Sequence, residues 1–193
     1  MEIEQPPDKV WTYDDLEQFE SDGRKYEIFD GELVVSPAPN VDHQRVIGRL
    51  HILVHAALHV PRIAEVLLSP FDVILSPTRV FQPDLLAVRW GRRRDALAKR
   101  GAIAPPDLVI EVLSPTKPEH DRVRKRRVYA RNGIPEYWIV DPMEKTIEVL
   151  QQIDGGLSYR QHGWYGPGDR ARSATFETLE LDVDAVFTDE DDV

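Results

Sequence analysis

The run Leu108-Val109-Ile110-Glu111-Val112-Leu113 constrains this chain more than any other segment. A nearly continuous apolar stretch of this length, bounded by Asp107 and by Ser114-Pro115, fits a central strand covered on both faces. Glu111 then lies inside the sheet. Burying a carboxylate there is costly unless it is paired with a cation or hydrogen-bonded throughout. The strand therefore predicts a fold in which other elements bring charge to Glu111, either as a structural ion pair or as a functional site.

The rest of the chain reads as elements around that strand. Thr12 with Asp14 and Asp15 predicts a short helix to about Glu20. Lys25–Phe29, Asp30-Gly31 and Glu32–Val35 read as a hairpin with an Asp-Gly turn. Between Asp42 and His59, apolar residues at Val46, Ile47, Leu50, Leu53, Val54, Ala57 and Leu58 keep helical spacing. Ile63–Leu68, Phe71–Leu75 and Asp84–Val88 read as strands, and Arg89–Arg100 as a basic helix or loop. Glu119–Asn132 is helical in pattern and is ended by Asn132-Gly133 and Pro135. Glu136–Val140, Thr146–Leu150 and Leu157–Gln161 complete a meander. The order predicts an α/β or α+β domain over residues 1–188, a mixed β-sheet flanked by helices, followed by an acidic tail at 189–193.

Composition narrows the chemistry. The chain of 193 residues has no cysteine, so disulfides, thiolate metal sites and a cysteine nucleophile are excluded. No apolar run is long enough to span a bilayer, and the acidic, Pro-containing start does not read as a signal peptide. A cytoplasmic location is the expectation. Net charge is −10, yet residues 79–131 carry 14 basic and 6 acidic side chains between acidic flanks. Such a block can form a local patch for an anionic partner, although a solvated, salt-bridged surface would give the same count.

Glu111 needs a second acid that can reach the same point. Asp107 lies four residues away along one strand, roughly 13 Å at about 3.3 Å per residue, too far to share an ion. Asp84 follows Pro83 and opens the run Leu85–Val88, so on a neighbouring strand it can face Glu111. A cation comes from the 121–132 helix. At 100° per residue, Asp121, Lys125, Val128, Tyr129 and Asn132 share one arc, while Arg124, Arg126, Arg127 and Arg131 point elsewhere. Asp84, Glu111 and Lys125 together suit metal-dependent phosphodiester hydrolysis, with the acids holding Mg²⁺ or Mn²⁺ and the lysine steadying negative charge. The four tryptophans, Trp138 among them, read as core residues.

Five segments then carry a resemblance: YEIFDGELVVSPAPNVDHQ (26–44), FQPDLLAV (81–88), PPDLVIEVLSPT (105–116), DRVRKRRVYARNGIPEYWIVDP (121–142) and GDRARSATFETLELDVDAVF (168–187). They resemble the Uma-two-like family of restriction endonuclease-like proteins in the PD-(D/E)XK nuclease superfamily. The resemblance implies a restriction endonuclease-like core and an endonuclease acting on nucleic acid, DNA being expected. Pro83-Asp84 matches the PD element and Glu111 the following acid. The position two beyond Glu111 is Leu113 rather than lysine, and Lys125 matches a lysine moved to the next helix. The resemblance also implies Glu27 as an extra acid and His43 as a residue at the site's edge. Arg92, Arg93, Arg94, Arg122 and Arg126 are the expected nucleic-acid contacts, flanking the Glu111 cleft. A homodimer is expected, since cutting a duplex needs two sites. Two other readings fit the residues: a non-catalytic nucleic-acid-binding or scaffold protein on a nuclease fold, and a carboxylate-pair glycosidase. The last leaves Lys125 and the basic block without a role.

Overall fold

A computed structural model describes residues 8–19, 23–114, 120–153 and 156–188. Its strands are β1 (Lys25–Phe29), β2 (Glu32–Ser36), β3 (Ala64–Leu68), β4 (Asp72–Ser76), β5 (Arg79–Phe81), β6 (Leu85–Arg89), β7 (Leu97–Ala98), β8 (Gly101–Ala102), β9 (Leu108–Val112), β10 (Glu136–Asp141), β11 (Thr146–Gln152), β12 (Tyr159–Tyr165), β13 (Arg170–Arg172) and β14 (Glu180–Asp182). The helices are α1 (Val41–Val54), α2 (Arg93–Ala96), α3 (Arg126–Arg131) and α4 (Val183–Phe187). A 3₁₀ turn covers Tyr13–Gln18, and π-helical turns cover His55–His59 and His120–Lys125.

The single mixed sheet expected from sequence is instead two six-stranded sheets and a two-stranded ribbon. The central sheet runs β12-β11-β10-β9-β6-β3, with β9 and β10 parallel and its other pairs antiparallel. The second runs β2-β1-β5-β4-β8-β7. Splitting follows from the short strand β5, absent from the sequence reading, which pairs with both β1 and β4 and carries the hairpin away from β9. A three-residue strand is too short to show a period. The same limit hid the β13–β14 ribbon and α4.

Strand β9 is buried on both faces, as its composition requires. Leu108, Ile110 and Val112 face a core shared with α1, α4 and the ribbon, whereas Val109 and Leu113 face a core shared with α3 and the second sheet. A third cluster, Trp11, Tyr26, Ile28, Leu33 and Val80, covers the outer side of the second sheet. Glu111 shares the face of Val109 and Leu113, so it points between the two sheets.

Local signals explain the element ends. Asn40 caps α1, its side chain accepting from the His43 N–H at 2.9 Å, and Val46, Ile47, Leu50 and Val54 form the buried stripe. The Asp30-Gly31 turn adopts positive φ at both residues, 51° and 89°. Gly31 is also required by space, because a Cβ there would lie 2.7 Å from Val10. The expected 119–132 helix begins as a π-helical turn and ends at Gly133, φ 78°. Glu20, Glu119 and the tail at 189–193 lie outside the described residues. The Arg89–Arg100 stretch folds as one helical turn and strand β7. Trp11 and Trp138 are core residues, but Trp164 on the edge strand β12 is half exposed, against the expectation for all four.

Glu136, fully buried at the start of β10, anchors the 173–176 loop. Its carboxylate accepts from the Ser173 hydroxyl and the Ala174 and Thr175 N–H groups, at 2.8, 3.2 and 2.6 Å, and from the Trp138 indole. Removing the acceptor strands these donors. Glu136→Ala is expected to lower unfolding free energy by about 3 kcal/mol in urea titrations. Glu136→Gln, which keeps one acceptor oxygen, should lose less.

Candidate active site

The antiparallel register of β6 and β9 pairs Leu85 with Ile110. Continued by one residue, it sets Asp84 opposite Glu111. The two acids lie on the same face of the central sheet, since Leu86 and Val88 share the inter-sheet core with Val109 and Leu113. Asp84 is almost wholly buried, and its Oδ2 accepts from the Val112 N–H at 2.8 Å. Glu111 is equally buried. Its Oε1 accepts from the Lys125 ammonium and the Tyr129 hydroxyl, each at 2.8 Å.

Strand β1 closes the site from the second sheet. Its alternation turns Lys25, Glu27 and Phe29 towards the central sheet, with Tyr26 and Ile28 on the other side. Glu27 Oε1 lies 3.0 Å from Lys125 Nζ and accepts from the Gln82 N–H at 2.9 Å. Lys125 thus bridges two buried carboxylates. Lys25 forms an ion pair with Asp84 and donates to the Gln82 carbonyl at 3.1 Å. His43, in the first turn of α1, places Nε2 at 2.9 Å from the Val112 carbonyl and 3.5 Å from Asp84 Oδ2. Three carboxylates and two ammonium groups therefore meet within one inter-sheet pocket. A cavity of about 160 Å³, lined by Lys25, Gln82 and Asp84, opens beside it.

The charges interact strongly. Burial alone would raise the Asp84 carboxyl, but the Lys25 ammonium, His43 and the bonds from Lys25 and the Val112 amide hold it below the ordinary value. Burial would lower Lys25, and the facing Asp84 and Glu111 raise it instead. Burial, then the Glu111 charge, pushes the Tyr129 hydroxyl well up, so it remains a donor at neutral pH.

The structure brings together Asp84, Glu111, Lys125, Glu27 and His43. It adds Lys25 and Tyr129. Lys25 was legible in principle, two residues from Glu27 on the same strand face, and Tyr129 shares the Lys125 arc. The arginines fall elsewhere. Arg92 bonds Asp107 at 2.7 Å, at the end of β9 remote from Glu111. Arg93 stacks on Trp90, its guanidinium 4.2 Å from the ring, and Arg94 is exposed on the same turn. The Arg92–Arg94 cluster therefore does not flank the Glu111 cleft, contrary to the sequence expectation. Asp107 is a structural residue that also accepts from the Arg89 N–H at 2.8 Å. Arg122 does lie at the Glu111 end of the sheet, 2.7 Å from Asp141 and 3.9 Å from Glu148, and Arg126 is 3.7 Å from Glu148.

The donor set suits a hard cation. Asp84, Glu111 and the Val112 carbonyl offer oxygens of the kind Mg²⁺ takes, with water filling other positions. Among the described residues no group of three or more His, Asp or Glu side chains could hold an ion. Two carboxylates and a main-chain oxygen are thus what the site provides, and the ammonium of Lys25 now sits on one of those carboxylates.

The fold is similar to a crystal structure described as "a putative nuclease belonging to DUF820 from Anabaena variabilis ATCC 29413". The TM-score is 0.74 at 19% identity, and the match covers 91% of this chain and 97% of that one. The molecule is thus a mixed α+β protein of nuclease-like fold. A family model, Uma2, described as "Putative restriction endonuclease", matches residues 12–184, and the chain belongs to that family. No curated protein matches it. Family and fold together support a nuclease. No helix among the described residues is long and apolar enough to cross a membrane.

Two stability effects follow from the site. A depressed folded-state value for Asp84 means that its stabilisation is complete above the unfolded value of about 3.9 and is lost as pH falls through the folded value. The raised Lys25 value keeps its share at neutral pH and loses it only as pH climbs past about 10.4. Asp84→Asn should cost about 3 kcal/mol at pH 7, since it leaves Lys25 unpaired, and should flatten the acid limb of stability against pH. Tyr129→Phe should cost about 1.5 kcal/mol, the hydroxyl bond to a buried carboxylate, in the same denaturation assay.

Proposed function

We propose that the protein is a metal-dependent endonuclease that hydrolyses phosphodiester bonds of nucleic acid, with DNA as substrate. The observation that carries this reading is the convergence of Asp84, Glu111 and Lys125 at neighbouring strand ends in a chain of a nuclease family. Asp84, Glu111 and the Val112 carbonyl would hold Mg²⁺ or Mn²⁺. When bound, such an ion polarises a phosphoryl oxygen and makes water a better nucleophile.

The remaining work falls to the chain's own groups. Glu27 and Glu111 hold the Lys125 ammonium between them, at the junction of the π-helical turn with α3, where it can donate to an anionic phosphate oxygen. Preorganised donors of this kind act where charge grows in the transition state. Tyr129 fixes the Glu111 carboxylate, and His43 fixes the Val112 carbonyl. Arg122 and Arg126, partly exposed near the same sheet end, are proposed phosphate contacts. A homodimer would present two such sites to the antiparallel strands of a duplex.

One observation favours a second reading, a non-catalytic nucleic-acid-binding protein. Asp84 and Glu111 are both ion-paired with lysines, and a cation must compete with Lys25 for Asp84. The glycosidase reading gains nothing from carboxylates already bridged in this way.

Incubation with single- and double-stranded DNA and RNA, in Mg²⁺ or Mn²⁺ and in EDTA, separates the two. Metal-dependent cleavage is expected. Lys125→Met should slow it about 100-fold or more with little change in substrate binding, because the lysine acts at the transition state. Asp84→Asn should abolish Mn²⁺ binding in calorimetry. Intact nucleic acid in every metal condition, with binding retained, would establish the second reading.

A further inference from the structure

Lys25 is the charged group of the inter-sheet pocket that the proposed chemistry leaves without a task. It opens β1, and its side chain is 18% exposed, whereas Asp84 beside it is almost wholly enclosed. The ammonium pairs with Asp84 Oδ1 and donates to the Gln82 carbonyl at 3.1 Å. The other carboxylate oxygen, Oδ2, is turned towards β9 and α1. It accepts from the Val112 N–H at 2.8 Å and lies 3.5 Å from His43 Nε2. Oδ1 is therefore the Asp84 oxygen better placed for a metal, and Lys25 is on it. After Asp84, Glu111 is the carboxylate that attracts the ammonium most. The side chain thus stands where a cation shared by the two acids would stand.

The two lysines of the pocket are held differently. Lys125 is enclosed between Glu27 and Glu111, at 3.0 and 2.8 Å, and both of these carboxylates are buried. It takes no part in lining the cavity of about 160 Å³ beside the site. Lys25 does, and Gln44, Ser69 and Gln82 supply polar wall next to it. That volume accommodates several waters, or an ammonium with part of its hydration. A lysine also has the means to move. Its stem is flexible and its ammonium is a point charge with rotatable donors, unlike the rigid fork of an arginine. An ammonium and a divalent ion on one carboxylate oxygen repel each other, most of all where burial lowers the dielectric. One of the two has to leave, and Lys25 has the cavity to go to.

We propose that Lys25 is a tethered place-holder for the metal: its ammonium takes the cation position on Asp84 Oδ1 and yields it to a divalent ion by turning into the adjoining cavity. The inference rests on the metal-dependent nuclease reading and specifies how its site is loaded. Metal entry is then an exchange of one cation for another, not the filling of an open site. The exchange suits the charge of the pocket. Glu27, Asp84 and Glu111 against Lys25 and Lys125 leave one negative charge in excess. A divalent ion in place of Lys25 brings the buried group to neutrality, whereas the same ion added beside Lys25 would leave an excess positive charge. A monovalent ion gains nothing over the ammonium already on Asp84, so Na⁺ and K⁺ do not displace it.

The test is calorimetric titration of Mn²⁺ into the wild type and Lys25 variants at pH 8, with thermal melting in EDTA and in Mn²⁺ alongside. Lys25→Met should melt below the wild type in EDTA, because Asp84 is left buried without its partner. It should nevertheless bind Mn²⁺ roughly tenfold more tightly, since no ammonium competes for Oδ1. Mn²⁺ should therefore raise its melting temperature more than it raises that of the wild type. Lys25→Gln, which can still donate to Asp84 but carries no charge, should show the same gain in affinity and serves if the methionine variant does not fold. Lys25→Arg, whose fork grips a carboxylate more firmly, should bind Mn²⁺ more weakly than the wild type. Lys99→Met removes the same charge at the exposed edge of the second sheet and should leave Mn²⁺ affinity unchanged. A lysine with a merely structural role would give weaker or unchanged Mn²⁺ binding when removed. Either result in the uncharged Lys25 variants, or an equal gain in Lys99→Met, overturns the place-holder. If the wild type binds Mn²⁺ and cleaves in that event, the nuclease reading survives. A series in which no protein binds Mn²⁺ and none cuts nucleic acid removes the metal-dependent reading and the place-holder together.

Discussion

The structure turns on the Glu111 carboxylate, buried in the middle strand of the central sheet. A charge in that position cannot be left alone, and Lys125, the last residue of the π-helical turn, and Tyr129 on α3 answer it from one helical turn. Their geometry requires α3 to lie across the sheet with one particular face inward. Lys125 in turn reaches Glu27, which binds the second sheet to the first through charge as well as through the apolar core around Phe29 and Phe81. Asp84 repeats the pattern with Lys25, again joining one sheet to the other. The ion pairs therefore orient the layers. Removing either side of a pair is costly because the survivor stays buried, which makes the arrangement specific even where its net stabilisation is small.

Both ends of β9 are fixed by acids, and the two ends do different work. At its start Asp107 is consumed by Arg92 and the Arg89 amide, which sets the strand against β6. Near its end Glu111 faces the inter-sheet pocket. A slip of one residue would turn Glu111 into the apolar core under α1 and release Asp107 from its partners at once. The register that places the site is thus specified twice.

Much of this was legible in the sequence. The apolar run around one glutamate marked the central strand, and the Pro83-Asp84 start of the neighbouring run marked its partner. Helical spacing singled out Lys125 from five nearby arginines. Two things were not legible, for physical reasons. Strand β5 is too short to carry a period, so the division into two sheets was invisible. Charge counted along the chain says nothing of where each group ends up. Arg92 and Arg93 are dense in sequence, yet Asp107, Trp90 and Glu65 take them up at the remote end of the sheet.

Leu113 occupies the position two beyond Glu111, just past β9, and the ammonium comes instead from Lys125 at the end of the π-helical turn. A lysine at 113 would have put two charged side chains side by side on one face of the most enclosed strand. With leucine there, the strand stays almost entirely hydrocarbon and carries a single charge into the interior. The backbone positions of the two acids are then set by the sheet, while the ammonium of Lys125 is brought to them by a separate helical segment. The distance in sequence between Glu111 and Lys125 is therefore not set by the strand, whereas the register of β6 and β9 sets Asp84 against Glu111 directly.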